Sequence, residues 1–69
     1  MKVKTLKQLR EDKGFTQEQV AKLTDKTVTY ISLLENKKRN ASDEMKEKLA
    51  KIYNCDVTDI YLALRLTQS

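Results

Sequence analysis

Sixty-nine residues are expected to make one small domain, because domains mostly run to about 100 residues or more. A chain this short buries only about 60% of the surface it exposes when unfolded, so its core is thin. Lys plus Arg number 14 against 10 Asp plus Glu, a net charge of +4. Residues 1–35 and 36–69 each carry seven basic and five acidic side chains, so no basic tail is hung on an acidic body. The even surplus fits a polyanionic partner.

With no histidine, the chain lacks the commonest general base and the commonest zinc ligand. Its one cysteine, Cys55, can form neither an internal disulfide nor a Cys-rich metal site, which suits a reducing cytosol. No apolar run reaches the roughly 20 residues that span a bilayer, and Met1 to Thr5 lack the apolar core of a signal peptide. Proline is absent and Gly14 is the single glycine, which argues against disorder and against a turn-rich β fold. The expectation is a mostly helical, cytoplasmic protein without metal or cofactor.

The first helical block places Leu6, Leu9 and Arg10 on one face and stops at Gly14, which suits a left-handed cap, with Phe15 plugging the turn. Thr16-Gln17-Glu18-Gln19 reads as a capping box. It opens a second helix with Val20, Ala21 and Leu23 expected inward, broken by Thr24-Asp25-Lys26. Thr27 can cap a third helix, with Ile31 and Leu34 inward and Val28, Thr29, Ser32, Leu33 and Asn36 outward. Tyr30 is expected to pack inward with its hydroxyl at the rim. A polar loop from Asn36 to Ala41 carries Lys37, Lys38 and Arg39. Ser42 then caps a fourth helix, with Asp43 and Glu44 at its positive dipole end. The inward stripe of that helix is Met45, Leu49, Ile52 and Tyr53. Asp56 with Asp59 resembles another cap, opening a fifth helix with Val57, Ile60, Tyr61 and Leu64 on one side. Because Leu62, Leu64 and Leu66 alternate, a short strand after Ile60 is an alternative. Cys55 reads as a small buried filler between helices 4 and 5.

From Leu6 to about Tyr61 this order resembles the phage repressor/Cro-type helix-turn-helix family, often called XRE. The residues that carry the resemblance are Leu6, Arg10, Gly14, the run Thr16 to Ala21, Ile31-Ser32, Leu34-Glu35 and the basic run ending at Arg39. The resemblance implies an all-α, five-helix lambda-repressor-like domain in which helices 2 and 3, about residues 16–36, form the helix-turn-helix. The chain departs from the family's pattern at Asp25, where the turn usually has Gly, and at Lys37 and Asn40, where the loop often carries Gly and Pro.

The same resemblance implies double-stranded DNA as the partner, with the recognition helix at 28–36 lying in the major groove, whose width admits an α-helix. Val28, Thr29, Ser32 and Leu33 are the candidate base contacts. Two apolar side chains can press on thymine methyls while two hydroxyls make single hydrogen bonds, a face suited to A·T-containing sites. Gln17, at the start of helix 2, is a candidate phosphate contact or recognition-helix clamp. Asn36, Lys37, Lys38 and Arg39 follow the recognition helix where the family's loop runs along the DNA backbone. Lys7, Lys26 and Lys46 can add to the same field. Arg10 and Glu35 match a structural ion pair that bridges helix 1 to the end of the recognition helix.

Ile60, Tyr61, Leu62, Ala63, Leu64 and Leu66 form an apolar cluster, within 60–69, larger than one helix face can bury, and all but Ala63 are expected in a homodimer interface. A twofold dimer would present its recognition helices about 34–36 Å apart, one DNA turn. The alternative is that this tail folds over the domain's own core. The function expected is a sequence-specific DNA-binding transcriptional regulator, a repressor on a palindromic operator, in a phage or other mobile-element setting. It carries no membrane partner and no small-molecule ligand. An antitoxin or protein-binding adaptor on the same fold is the second reading. An enzyme is not expected, for want of a histidine, a Gly-rich phosphate loop or a paired nucleophile and base.

Overall fold

The computed structural model describes residues 4–66, with side chains through Arg65. The described chain is five helices: α1 (Leu6–Asp12), α2 (Gln17–Thr24), α3 (Val28–Glu35), α4 (Asp43–Ile52) and α5 (Val57–Leu66). Each of the first four starts on a hydroxyl that accepts a free helical amide. Thr16 Oγ1 accepts from the Gln19 amide at 3.1 Å while Gln19 Oε1 accepts from the Thr16 amide at 2.8 Å, a reciprocal box. Thr5 and Gln8 repeat it at the start of α1, at 3.1 and 2.9 Å. Thr27 and Ser42 serve α3 and α4 through the amides of Tyr30 and Met45. At the start of α5 the Asp59 carboxylate accepts from the Asp56 amide at 3.3 Å.

The same four helices also end alike. A residue in the left-handed region stands just past each of them: Gly14 (φ 76), Asp25 (φ 59), Lys37 (φ 63) and Asn54 (φ 51). The following amide then reaches back five residues, Phe15 to the Arg10 carbonyl, Lys26 to Ala21, Lys38 to Leu33 and Cys55 to Ala50, at 2.8–3.2 Å. This closure satisfies carbonyls that the helix leaves open. Glycine adopts the conformation without strain, Asn and Asp tolerate it, and lysine does so at a cost. Asp25 thus supplies the turn between α2 and α3 that the family usually gives to glycine.

The core is built from Leu6 of α1, Val20 and Ala21 of α2, Ile31 and Leu34 of α3, Met45, Leu49 and Ala50 of α4 with Tyr53 at its end, and Ile60 and Ala63 of α5. Ala41 closes it from the loop, and Leu9, Phe15, Tyr30, Ile52, Cys55 and Leu64 pack around it half-buried. Burial pushes the Cys55 thiol up, away from the reactive thiolate.

Three expectations need correction. Leu23 is 57% exposed and Thr24 is buried in its place. At 100° per residue, Val20, Ala21 and Thr24 centre the buried face of α2 and leave Leu23 about 100° away from it. Thr24 is tolerated inside because its hydroxyl donates to the Val20 carbonyl at 2.8 Å, turning its methyl to the core. The alternation of Leu62, Leu64 and Leu66 is not a strand, because α5 runs through all three. That helix is also rotated from the expected stripe: Ile60 and Ala63 face the core, whereas Val57 and Tyr61 are exposed.

The helix ends carry opposite predictions at two equivalent positions. A Cβ at Gly14 would meet nothing within 4 Å, so Gly14→Ala should cost about 1 kcal/mol through the backbone alone. Asp25→Gly should gain about 0.5–1 kcal/mol by relieving the same conformation. Urea unfolding midpoints of the two variants should therefore move in opposite directions.

Candidate nucleic-acid interface

Arg10 and Glu35 meet inside the domain, their side chains 10% and 6% exposed. Arg10 Nε donates to Glu35 Oε2 at 2.7 Å and Nη2 to Oε1 at 3.3 Å, a two-point contact that fixes both angle and distance. The third guanidinium nitrogen, Nη1, donates to the Phe15 carbonyl at 3.0 Å. Gln17 Nε2 donates to Glu35 Oε1 at 3.0 Å. One carboxylate at the last turn of α3 therefore ties down α1, the turn after it and the first residue of α2. Glu35 holds the guanidinium of Arg10 above its ordinary range against the opposing effect of burial. Burial, with the Glu35 charge as a second cause, likewise raises the Tyr53 phenol, which stays neutral beside the pair. Phe15 and Tyr53 stack at a tilt, ring centres 6.4 Å apart, and cover this joint.

So held, α3 turns Ile31 and Leu34 to the core and leaves the other side of the helix outward. Thr29 is exposed, Val28 is 40% exposed, and Ser32 and Leu33 are half-buried. Asn36 caps the end of α3 and its amide nitrogen donates to the Ser32 carbonyl at 2.9 Å and to Ser32 Oγ at 3.3 Å. Ser32 Oγ thus has an acceptor site engaged and its own proton free to donate. The side chain of Gln17 is spent in part on Glu35, leaving its amide oxygen and one N–H for another partner.

The three consecutive cations do not share one environment. Lys38 and Arg39 are exposed, whereas Lys37 is half-buried with its Nζ enclosed and without a hydrogen-bond partner among the described residues. Burial lowers the Lys37 ammonium below the usual lysine range. The left-handed backbone at Lys37 turns its side chain out of line with the two that follow. A residue-by-residue reading of the run had no signal for this except the glycine usual at that place. Arg39, with Lys26 from before α3, approaches the Tyr30 ring, at 5.4 and 5.5 Å from its centre respectively.

Of the residues expected in a dimer interface, Ile60 is 0% exposed and belongs to the core, so no partner chain can touch it. Leu64 is half-buried against the core, and Tyr61 and Leu62 are exposed. The side chain of Leu66, and residues 67–69, lie outside the described residues. The described residues form no cluster of three or more His, Cys, Asp or Glu able to hold a metal, and none of their helices is long and apolar enough to cross a membrane.

Removing one member of the buried pair leaves the other charged and unpartnered, a loss of about 3–5 kcal/mol. Arg10→Met should therefore come close to unfolding so small a domain, while Arg10→Met/Glu35→Leu together should lose distinctly less. Urea melts of the single and double variants check this.

With this geometry in place, comparison with known proteins assigns the chain. The helix-turn-helix family profile matches residues 6–60, from the first residue of α1 to the α5 core residue Ile60. A protein named "Competence pilus inhibition repressor", from Acinetobacter baylyi, is 41% identical over 54 residues. The match covers 78% of this chain and 49% of that protein, so the chain spans about half the length of the relative. No solved structure gives a significant match. The capped α2, the left-handed turn at Asp25, the outward face of α3 and the buried Arg10–Glu35 pair stand within the matched residues, and the chain belongs to the XRE helix-turn-helix family, a family of DNA-binding regulators.

Proposed function

We propose that this chain is a sequence-specific DNA-binding transcriptional regulator that inserts α3 into the major groove and acts as a repressor. The observation that carries the reading is the outward side of α3, locked at one angle by the Arg10–Glu35–Gln17 joint and flanked by Lys38, Arg39 and Lys26. Val28, Thr29, Ser32 and Leu33 make the base contacts. Val28 and Leu33 meet thymine methyls, and the hydroxyls of Thr29 and Ser32 supply one hydrogen bond each. Gln17, Asn36, Lys38 and Arg39 contact the sugar-phosphate backbone, and Lys37 reaches a phosphate only if the phosphate enters the pocket that encloses its ammonium. The name of the similar protein supports repression as the direction of control.

In this reading the chain binds as a homodimer on a palindromic operator. Tyr61 and Leu62, with the edge of Leu64, supply the contact. The domain measures 30 × 24 × 20 Å, so two copies side by side suit half-sites about 34–36 Å apart.

Selection of bound sequences from a random DNA pool tests the proposal. A pseudo-palindrome with half-sites about 10 base pairs apart supports both readout and dimer, and a single half-site supports readout alone. Absence of enrichment from a folded sample removes the DNA function and favours an antitoxin or adaptor role. On the selected site, Arg39→Ala should weaken binding evenly across sequences and lower the salt slope by about 1. Leu33→Ala should cost about 1–3 kcal/mol at one or two base positions only. Fluorescence anisotropy across a salt series separates the two effects.

A further inference from the structure

A second cationic place lies off the recognition helix, between the loop after α3 and the far end of α5. Lys37, Arg39, Lys46 and Arg65 line one cavity of about 200 Å³ together with Asn40, Ala41, Tyr61 and Leu64. Among the described residues that line it there is no carboxylate. Asp43 stands nearest by contact: one of its oxygens accepts from the Tyr61 hydroxyl at 3.3 Å and lies 3.7 Å from Lys46 Nζ. Its side chain is 85% exposed, so solvent screens it well. Lys46 sits over the Tyr61 ring, 4.1 Å from its centre, which holds that ammonium in place without cancelling its charge.

Lys37 is the residue that asks for a ligand. Its Nζ is enclosed and makes no hydrogen bond among the described residues, and its backbone is left-handed at a position where a lysine is strained. An ammonium kept from water without a partner opposes folding, and a turn of its flexible stem into the cavity that the same side chain lines would bring it to an anion whose oxygens accept its protons. The loop, α4 and α5 bring four basic side chains and a tyrosine to the cavity lining, more charge than a single carboxylate would balance. A tetrahedral dianion can accept from several donors at once, and arginine and lysine are its usual partners.

We infer that the cavity between the post-α3 loop and α5 binds a phosphate group, held by Lys37, Arg39, Lys46 and Arg65. The site is defined by the chain's own residues, whether the phosphate belongs to a DNA backbone or to a free phosphorylated molecule. Arg39 belongs to both this cavity and the loop that flanks α3, so occupancy would set the pose of that loop beside DNA.

The test is titration of the whole chain with inorganic phosphate, followed by amide and arginine Nε–Hε shifts in ¹H–¹⁵N spectra, against chloride at matched ionic strength. Saturable shifts confined to residues 37–41, 46 and 61–65 are expected. Lys37→Met and Arg65→Gln should each weaken binding at least about tenfold, the loss of one charge-assisted contact, and Lys22→Gln should leave it unchanged. Arg65 is exposed, so its variant keeps the test alive should Lys37→Met disturb the loop. Shifts that never saturate, or that survive in both variants, overturn the inference. A duplex of the selected sequence added to phosphate-saturated protein then names the source. If residues 37–41, 46 and 61–65 no longer respond to phosphate concentration once duplex is bound, the DNA backbone is the carrier, and duplex bound with that response intact identifies a free phosphorylated ligand. Failure of the duplex to bind at all would count against the DNA reading and leave the phosphate site standing.

Discussion

The rest of the domain depends on one carboxylate. Glu35 accepts from Arg10 twice and from Gln17 once, at 2.7–3.3 Å, and Arg10 reaches on to the Phe15 carbonyl. Helices of seven and eight residues are too short to be stable alone, and apolar packing between them selects an angle only within about 15–20°. Directional bonds to a buried charge narrow it. The arrangement costs desolvation on both sides, which a helix-turn-helix repays with a fixed attitude of the helix that reads.

The ends of the helices complete that frame. In 69 residues with one glycine and no proline, four helices stop by the same closure, each using a different residue type in the left-handed region. Gly14 and Asn54 do so cheaply, Asp25 less so, and Lys37 least. The strain is thus graded along the chain, and it is largest beside the recognition helix, where it also turns a lysine side chain inward. Strain of this kind is common at binding sites, in keeping with the role proposed for that loop.

Much of this was legible locally. Thr16 with Gln19, Thr27 and Ser42 announce helix starts because a hydroxyl at that position satisfies amides that nothing else can reach. Ile31 and Leu34 follow from spacing. Arg10 with Glu35 was legible as a pair only through the resemblance, since 25 positions separate them, although Arg10 shares the face of Leu6 and Leu9. The failures share a cause: helical spacing finds a stripe but not how a helix is rotated against its neighbours. Hence Leu23 reads as core and lies outside, while Thr24 reads as a break and lies inside. Likewise Ile60 reads as interface and is core. The inward turn of Lys37 and the company it finds in Lys46, Tyr61 and Arg65 depend on tertiary placement of α5, which no run of residues encodes visibly.

In the proposed function the joint around Glu35 sets the pose of α3 and through it the hold on DNA, although neither Arg10 nor Glu35 reads a base. The most direct measurement is the affinity of the folded Arg10→Met/Glu35→Leu variant for the selected duplex and for its single-base variants. The account predicts a loss of about tenfold or more, spread evenly, with the ranking of base variants unchanged. Unaltered affinity in a variant shown to be folded would contradict it.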